Sequence, residues 1–486
     1  MLFFHNILFI ASSTNGISTD MPFLFADKKG DVMEQTIAAI STALSPAAVG
    51  MIRISGSAAL QVADRVFSAQ SGKRLESLSG YCALYGSVRD EGGVFDHAVA
   101  TVFRAPKSYT GENVAEITVH GGPYLVRRLL RAVLANGARL ALPGEFTRRA
   151  FENGKMDLTQ AEAVGALISA EGQQQALSAL EVCDGRLSKT IDGLYDRLIV
   201  LLGKIAAYCD YPDEDIVDVS RETLQDEIDG VRAALDEMLT GFDRGSVIAH
   251  GVDTVIVGSP NVGKSTLMNL LAGYEKSIVT DIAGTTRDIV EDTVSVGDFQ
   301  LRLSDTAGLR NTDDRVEAVG VDRARSRLRQ AALVLAVFDL SRPLSTEDHA
   351  LLGSLKGRNA LGILNKEDLP VAADTALLEQ SFERTVRISA AKGTGSQDLR
   401  QAIAACLEQY HLSGNARLLV NERQYDCARR AAGELEQAAQ AVCQGQTPDM
   451  VGILLEQAAQ CLAELRGTRV SDAVVNEIFS KFCVGK

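Results

Sequence analysis

The 486-residue sequence lacks several features that would place it in common protein classes. No stretch approaches the roughly 18 to 20 apolar residues that a membrane-spanning helix requires, so we expect no membrane span. The eight cysteines form no C-x-x-C pair and the six histidines are scattered, which disfavours a zinc site. No lysine or arginine precedes Lys28, so the apolar start "MLFFHNILFIASS" fits neither a secretory nor a mitochondrial signal.

These absences lead to expectations about the compartment and the N-terminus. We expect a cytoplasmic protein with reduced thiols, because disulfides are rare in the cytosol. Residues 1–32 are expected to be a disordered or over-extended start, since a coherent strand-like run, "MEQTIAAIST", opens only at Met33. The formal charge of −14 argues against a protein whose whole surface is basic and binds nucleic acids non-specifically, although one domain can still carry a local basic face.

The patterning that is present divides the chain into about three domains, as its length also favours. Residues 33–154 alternate in short strand-like runs around one helix, which is typical of an α+β domain. Residues 155–250 and 412–486 are periodic like helices. Their apolar stripes include Leu158, Ala161, Val164 and Leu167 and, near the end, Val470, Val474, Ile478 and Phe482.

Between the two helical stretches, residues 251–411 alternate strand-like and helical runs in the manner of a doubly wound α/β domain. Each helical stretch by itself offers few apolar stripes to bury, so we expect the two to pack together around the insert. The sequence therefore predicts a multidomain α+β and α/β fold, with an N-terminal α+β domain, a discontinuous helical domain and an inserted α/β domain.

The inserted domain contains "GSPNVGKST" directly after its first strand, which satisfies the P-loop pattern G-x-x-x-x-G-K-[ST]. Glycines let backbone N–H groups point at phosphates, Lys264 can reach the outer phosphates, and the Ser265 hydroxyl can bind Mg²⁺. The residues predicted to bind the nucleotide here are Asn261, Val262, Gly263, Lys264, Ser265 and Thr266.

Three further motifs follow in the order of a GTPase and make the insert a predicted P-loop GTPase domain. "DTAG" supplies Asp305 for the metal shell and Gly308 for the γ-phosphate, and Asp368 of "NKED" can accept from both donors of guanine. The third motif, "SAA", supplies Ser389 to Ala391. The predicted residues are Asp305, Thr306, Ala307, Gly308, Asn365, Lys366, Asp368, Ser389, Ala390 and Ala391.

A threonine-rich loop, "TDIAGTTRD", lies between the P-loop and "DTAG". Thr286 is placed there to complete the Mg²⁺ shell when the γ-phosphate is present. The loop's predicted nucleotide-binding residues are Thr280, Asp281, Ile282, Ala283, Gly284, Thr285 and Thr286.

The residue after "DTAG" is Leu309, where many GTPases have a glutamine that orients the attacking water. A leucine can neither donate a hydrogen bond to a water nor accept one from it. Either this chain hydrolyses nothing, or another group holds the water.

Together the motifs "GSPNVGKSTLMNLLAG", "VTDIAGTTRD", "DTAGLR", "PGEFTRRAFENGKMDLTQAEA", "DYPDED" and the terminal "FCVGK" resemble the MnmE (TrmE) family of tRNA-modification GTPases, from about residue 35 to the end. The resemblance implies a homodimer whose N-terminal domain dimerises and binds 5-formyl- or 5,10-methylene-tetrahydrofolate. It also implies an MnmG-type FAD protein as partner in a heterotetramer. Together they would install an aminomethyl or carboxymethylaminomethyl group at C5 of the wobble uridine of certain tRNAs.

The resemblance also implies roles for particular residues. K⁺ would be held by Asn261, Thr280, Ile282 and Thr285, and Glu317 would orient the water that Leu309 cannot, so that the catalytic residues are Glu317, Lys264 and Thr286. A cation there can offset charge on the transferring phosphoryl group. The folate-binding residues would be Arg53, Glu116, Lys155 and Lys486.

Two other classes of protein use similar motifs. A ribosome-assembly or translation-linked regulatory GTPase is the main alternative, but the C-terminal region has no G-x-x-G clamp of the KH type. A membrane-linked switch could end in a C-a-a-X box, yet "CVGK" ends in lysine and follows no polybasic run.

Overall fold

The computed structural model describes residues 35–210, 220–273, 292–305, 328, 331–410 and 419–485. These residues form two compact units. The first contains the described part of Met1–Met156 and of Asp472–Lys486, and the second lies within Asp157–Ser471. The domain boundaries drawn from the sequence stay predictions.

The first unit is built on one sheet of seven strands. The strands are β1 (Ile37–Ile40), β2 (Val49–Ser55), β3 (Phe67–Ala69), β4 (Cys82–Asp90), β5 (Gly93–Phe103), β6 (Val114–His120) and β7 (Arg139–Leu140). Their order is β3-β4-β5-β6-β2-β1-β7, and neighbours are antiparallel except β1 and β7. Helices α1 (Ala59–Val66) and α2 (Pro123–Ala135) cover one face of the sheet.

Strand alternation decides which side chains of this sheet meet the two helices. Ile52 of β2 and Ile117 of β6 are buried in one core with Leu129 of α2. Successive side chains of a strand point to opposite faces of the sheet. Arg53 and Glu116 are therefore presented on the face away from α1 and α2.

Two further helices, α3 (Glu145–Glu152) and α15 (Asp472–Ser480), pack against each other within the first unit. Gly144, which precedes α3, has a left-handed φ of 65°. A Cβ built on it would lie 2.7 Å from the Phe479 carbonyl oxygen, so only glycine permits this approach.

The apolar stripe predicted for the end of the chain was wrong by one residue. Val475 and Phe479 of α15 are buried, whereas the predicted Val474 and Ile478 are half-buried. The reason is the surface that α15 meets: packing on α3 selects the face of the helix that carries Phe479.

The second unit begins and ends with helices that form one core. They are α4 (Leu158–Ile168), α5 (Gln173–Cys183), α6 (Arg186–Asp210), α7 (Arg221–Thr240), α8 (Phe242–His250), α13 (Glu422–Cys443) and α14 (Pro448–Arg466). Helix α13 packs on α7 and α14, and α14 packs on α6. Leu198, Leu235, Leu435 and Leu462 belong to a single buried cluster, so the predicted discontinuous helical domain is confirmed.

One predicted stripe in these helices is only partly buried. Leu158 and Ala161 of α4 are fully buried, but Leu167 near its end is 36% exposed. No helix among the described ranges is both long and apolar enough to cross a membrane. All eight cysteines are free thiols.

Between these helices lies a sheet of six strands with helices around it. The strands are β8 (Val252–Val257), β9 (Asp292–Val296), β10 (Phe299–Asp305), β11 (Leu333–Asp339), β12 (Ala360–Asn365) and β13 (Arg384–Arg387). The helices are α9 (Lys264–Ala272), α10 (Thr346–Ser354), α11 (Thr375–Ser381) and α12 (Ser396–Leu407).

The order of this sheet is β13-β12-β11-β8-β10-β9, and all pairs are parallel except β9 with β10. Every residue of β11 is buried, as expected for a strand covered on both faces. The predicted doubly wound α/β insert is confirmed. Ligands of such sheets bind beyond the carboxyl ends of the strands, which is where β8 leads into the P-loop.

Candidate functional site

The P-loop, Gly258–Thr266, runs from the end of β8 into the first turn of α9. Gly263 has a left-handed φ of 101°, and a Cβ there would lie 2.2 Å from the Nδ2 atom of Asn365. Asn261 also adopts a left-handed conformation, with φ of 66°. The loop thus needs glycine at Gly263 for both its backbone angle and its close neighbour.

Lys264 is the first residue of α9 and turns back over the loop. Its Nζ donates to the carbonyl oxygens of Gly258 and Ser259, each at 2.9 Å. The predicted Ser265 and Thr266 follow in the first turn and are exposed. This arrangement places an ammonium group and two hydroxyl-bearing residues at a helix N-terminus, where phosphate binding is favoured.

Asn365, the last residue of β12, connects the three described nucleotide motifs. Its Nδ2 donates to the carbonyl of Val262 at 2.8 Å, and its Oδ1 accepts from the backbone N–H of Ala390 at 3.0 Å. Asn365 is only 3% exposed. The P-loop, "NKED" and "SAA" are therefore held together by one buried amide.

Asp368 lies next to the same motif and is oriented by a hydroxyl. Its Oδ1 accepts from Ser389 Oγ at 2.7 Å, and Lys392 Nζ lies 3.4 Å from Oδ2. The Ser389 hydrogen bond is the main reason why the pKa of Asp368 lies below its ordinary value. An ionised carboxylate can accept from the two adjacent donors of a guanine edge.

The remaining predicted residues are placed as follows. Ala391 is exposed beside Ala390, and Lys366 has a left-handed φ of 66° and donates from Nζ to Asp339 at 2.6 Å. Asp305 ends β10, in register with Ile256 of β8. Outside the described residues lie Thr280, Asp281, Ile282, Ala283, Gly284, Thr285, Thr286, Thr306, Ala307, Gly308 and Glu317, and with them most of the predicted K⁺ and Mg²⁺ ligands.

The first unit holds three of the four predicted folate residues. Arg53 and Glu116 are register partners on β2 and β6, and the Arg53 Nε donates to Glu116 Oε1 at 2.9 Å. The Arg53 guanidinium lies 5.4 Å from the Tyr109 ring centroid and 5.8 Å from that of Phe146. Its Nη1 atom is buried and has no hydrogen-bond partner among the described residues.

Lys155 and the end of the chain belong to the same unit. Lys155 follows α3, and its Nζ donates to the carbonyl of Pro106, in the loop that also carries Tyr109. Gly485 lies beside the end of β1, where its carbonyl accepts from Ser41 Oγ at 3.2 Å. Lys486 is outside the described residues.

Sequence reasoning missed a buried ion cluster that anchors α3. Arg149 is 1% exposed, and its Nη1 donates to both carboxylate oxygens of Glu112 at 3.1 Å. Its Nη2 donates to Glu145 at 3.0 Å. Burial would raise the pKa of Glu145, but hydrogen bonds and the arginine charges outweigh it and hold the pKa low. The sequence feature that could have indicated this cluster is the Glu145–Arg149 pair at i, i+4 spacing in "EFTRR".

Comparisons with known proteins extend over both units. The family models "GTP-binding protein TrmE N-terminus" and "MnmE helical domain" match residues 36–155 and 158–483. The tRNA modification GTPase MnmE of Geobacillus kaustophilus is 40% identical, in an alignment that covers 93% of this chain and 99% of that protein. That of Acetivibrio thermocellus is 38% identical with the same coverage. A solved structure of an Aquifex aeolicus Era variant with GDP and AlF4⁻ is 26% identical, covering 38% of this chain and 66% of that one, but its TM-score of 0.27 is too low to support a conclusion.

Proposed function

The chain belongs to the MnmE family of tRNA modification GTPases, and from this premise we propose that it hydrolyses GTP to drive the modification of tRNA wobble uridines. One observation carries the nucleotide half of the proposal: buried Asn365 bonds to the P-loop at Val262 and to Ala390. The three motifs needed to hold phosphates and read a base are thereby assembled at one edge of the sheet.

The predicted residues of this site have separate proposed roles. Backbone N–H groups of the P-loop and the Lys264 ammonium would bind the phosphates, and Asp368 would accept from the guanine ring N–H and amine. Ser265, exposed at the start of α9, suits Mg²⁺, and Asn261 suits K⁺. Bound cations would offset the charge that develops on the phosphoryl oxygens. Glu317 would orient the water in place of the glutamine that Leu309 replaces.

The first unit is proposed to bind a reduced folate. The Arg53 side chain is 12% exposed, and its buried Nη1 has no partner within the part of the chain that the structure describes. Its described bonds to Glu116 engage Oε1 of that carboxylate. A pterin presents an amide and an amine donor side by side, which suits the Glu116 carboxylate, and Lys155 and Lys486 suit the glutamate tail. A bound folate would supply the one-carbon unit.

The oligomeric assembly and the specific tRNA reaction are proposed from membership of the family. The protein would act as a homodimer with an MnmG-type FAD protein, and together they would add a (carboxymethyl)aminomethyl group at C5 of the wobble uridine of certain tRNAs. Gly485 packs on β1, which supports a folate site that includes the end of the chain.

Mass analysis of tRNA nucleosides tests this proposal. Cells that lack the gene should lose the modified wobble uridine, the wild-type gene should restore it, and Lys264→Ala should not. Unchanged wobble nucleosides together with accumulating ribosome precursors would instead favour a ribosome-assembly GTPase.

A further inference from the structure

A buried carboxylate, Asp348, lies behind the P-loop. It is 2% exposed and occupies the first turn of α10, where Ser345 is the N-cap residue. Its Oδ2 accepts from the Ser345 backbone N–H at 2.9 Å and from the Ser345 hydroxyl at 2.8 Å. In return, the Asp348 backbone N–H donates to Ser345 Oγ at 3.2 Å, which completes a capping box. The capping box accounts for only one of the two carboxylate oxygens, Oδ2.

The other oxygen of Asp348 reaches the P-loop. Oδ1 accepts from Ser259 Oγ at 2.6 Å, in a buried contact between residues 89 positions apart in sequence. Ser259 is the second residue of the P-loop motif, and its carbonyl oxygen accepts from Lys264 Nζ. Ser259 thus connects the carboxylate of α10 to the lysine predicted to bind phosphates.

The charge state of Asp348 strengthens this connection. Burial would raise its pKa, but hydrogen bonds from Ser259 and Ser345 outweigh burial and hold the pKa below its ordinary value. Hydrogen bonds to an ionised carboxylate are roughly twice as strong as those between neutral groups. The Ser259 hydroxyl is therefore fixed by a strong acceptor that water does not reach.

A weaker branch leads from Asp348 toward the base-reading motif. Arg342 Nη2 lies 3.6 Å from Asp348, and Arg342 Nε lies 3.8 Å from Asp339, which accepts from Lys366. The Arg342 side chain is 37% exposed, so solvent screens these long contacts. The connection that matters for the nucleotide is the direct one, through Ser259.

We propose that Asp348 is a positioning residue for the P-loop: by holding Ser259 it fixes the carbonyl oxygens that orient Lys264, and so sets the affinity of the site for guanine nucleotides. The proposal rests on the GTP site proposed above. It differs from a helix-capping role, because a cap stabilises α10 whether or not a nucleotide is bound.

Two serine variants separate these roles. Ser259→Ala and Ser345→Ala each remove one hydroxyl that donates to the same carboxylate, but only Ser259 belongs to the P-loop. Both should lower the melting temperature of the nucleotide-free protein. Ser259→Ala should weaken binding of GDP and of a non-hydrolysable GTP analogue about tenfold, mainly through faster dissociation. This loss corresponds to about 1.4 kcal/mol. Ser345→Ala should leave both affinities within about twofold of the wild-type values.

A third variant tests whether the effect passes through Asp348. Asp348→Asn should also weaken nucleotide binding. Adding Ser259→Ala to it should cause little further loss of affinity, because both changes affect the same hydrogen bond between Ser259 and residue 348. Ser259→Thr, which keeps the hydroxyl, should retain most of the affinity.

The possible results are distinguishable. If Ser259→Ala and Ser345→Ala change nucleotide affinity equally, or neither changes it, Asp348 is only a capping residue and the inference is overturned. If the wild-type protein binds no guanine nucleotide, the proposed function itself fails.

Discussion

Replacing Asn365 with alanine should damage both the stability of the α/β insert and its affinity for nucleotide. The change removes two hydrogen bonds and leaves the Val262 carbonyl and the Ala390 N–H, both in buried residues, without their partner. Each buried unpaired group costs roughly 1–3 kcal/mol. Some relaxation is expected, so the free energy of unfolding should fall by about 2–4 kcal/mol.

The measurement is thermal unfolding combined with nucleotide titration. A loss of 1 kcal/mol lowers the melting temperature of a domain of this size by about 2–4 °C, so a loss of about 2–4 kcal/mol should lower the transition of the insert by roughly 4–16 °C. Affinity for GDP should fall at least about tenfold, since the P-loop and "SAA" lose their common anchor.

The same strand provides a matched control. Asn359 immediately precedes β12 and donates from Nδ2 to the carbonyls of Ala332 and Cys406, at 3.1 and 3.4 Å. Asn359→Ala therefore removes a similar amide from the opposite end of the strand. It should destabilise the insert less and leave nucleotide affinity within about twofold. Equal losses of affinity in the two variants would refute the role assigned to Asn365.

Three further outcomes follow from the proposed chemistry. Asp368→Asn should weaken GTP and admit xanthosine triphosphate, because an amide donates where the carboxylate accepted; unchanged GTP affinity in a titration would contradict the base-reading role. Hydrolysis should be fast in K⁺ and slow in Na⁺, and equal rates in both salts would contradict the proposed K⁺ site. Glu317→Ala should lose turnover while GTP binding persists, because a poorly oriented water lowers the rate and not the affinity. Lys486→Ala should weaken folate binding but spare GTP hydrolysis, and unaltered folate affinity in a titration would exclude Lys486 from the pocket.

The nucleotide motifs and most secondary structure could be predicted from the sequence because they are local properties. Side-chain period separates strands from helices, and the glycine pattern before Lys264 follows from the backbone angles that a P-loop needs. Strand β11 is an example: its apolar run is one of the strand-like runs from which the α/β insert was predicted, and every one of its residues is buried. The family resemblance rested on the same local motifs.

Contacts between distant segments were decided only by the tertiary structure. The bond from Ser259 to Asp348 spans 89 positions, and no periodicity specifies which serine a capping aspartate will also reach. Likewise, α15 has two apolar faces of similar strength in its sequence, and only packing on α3 selects Val475 and Phe479. A sequence determines which faces can be buried, whereas the partner surface determines which face is buried, because burial is a property of two surfaces in contact.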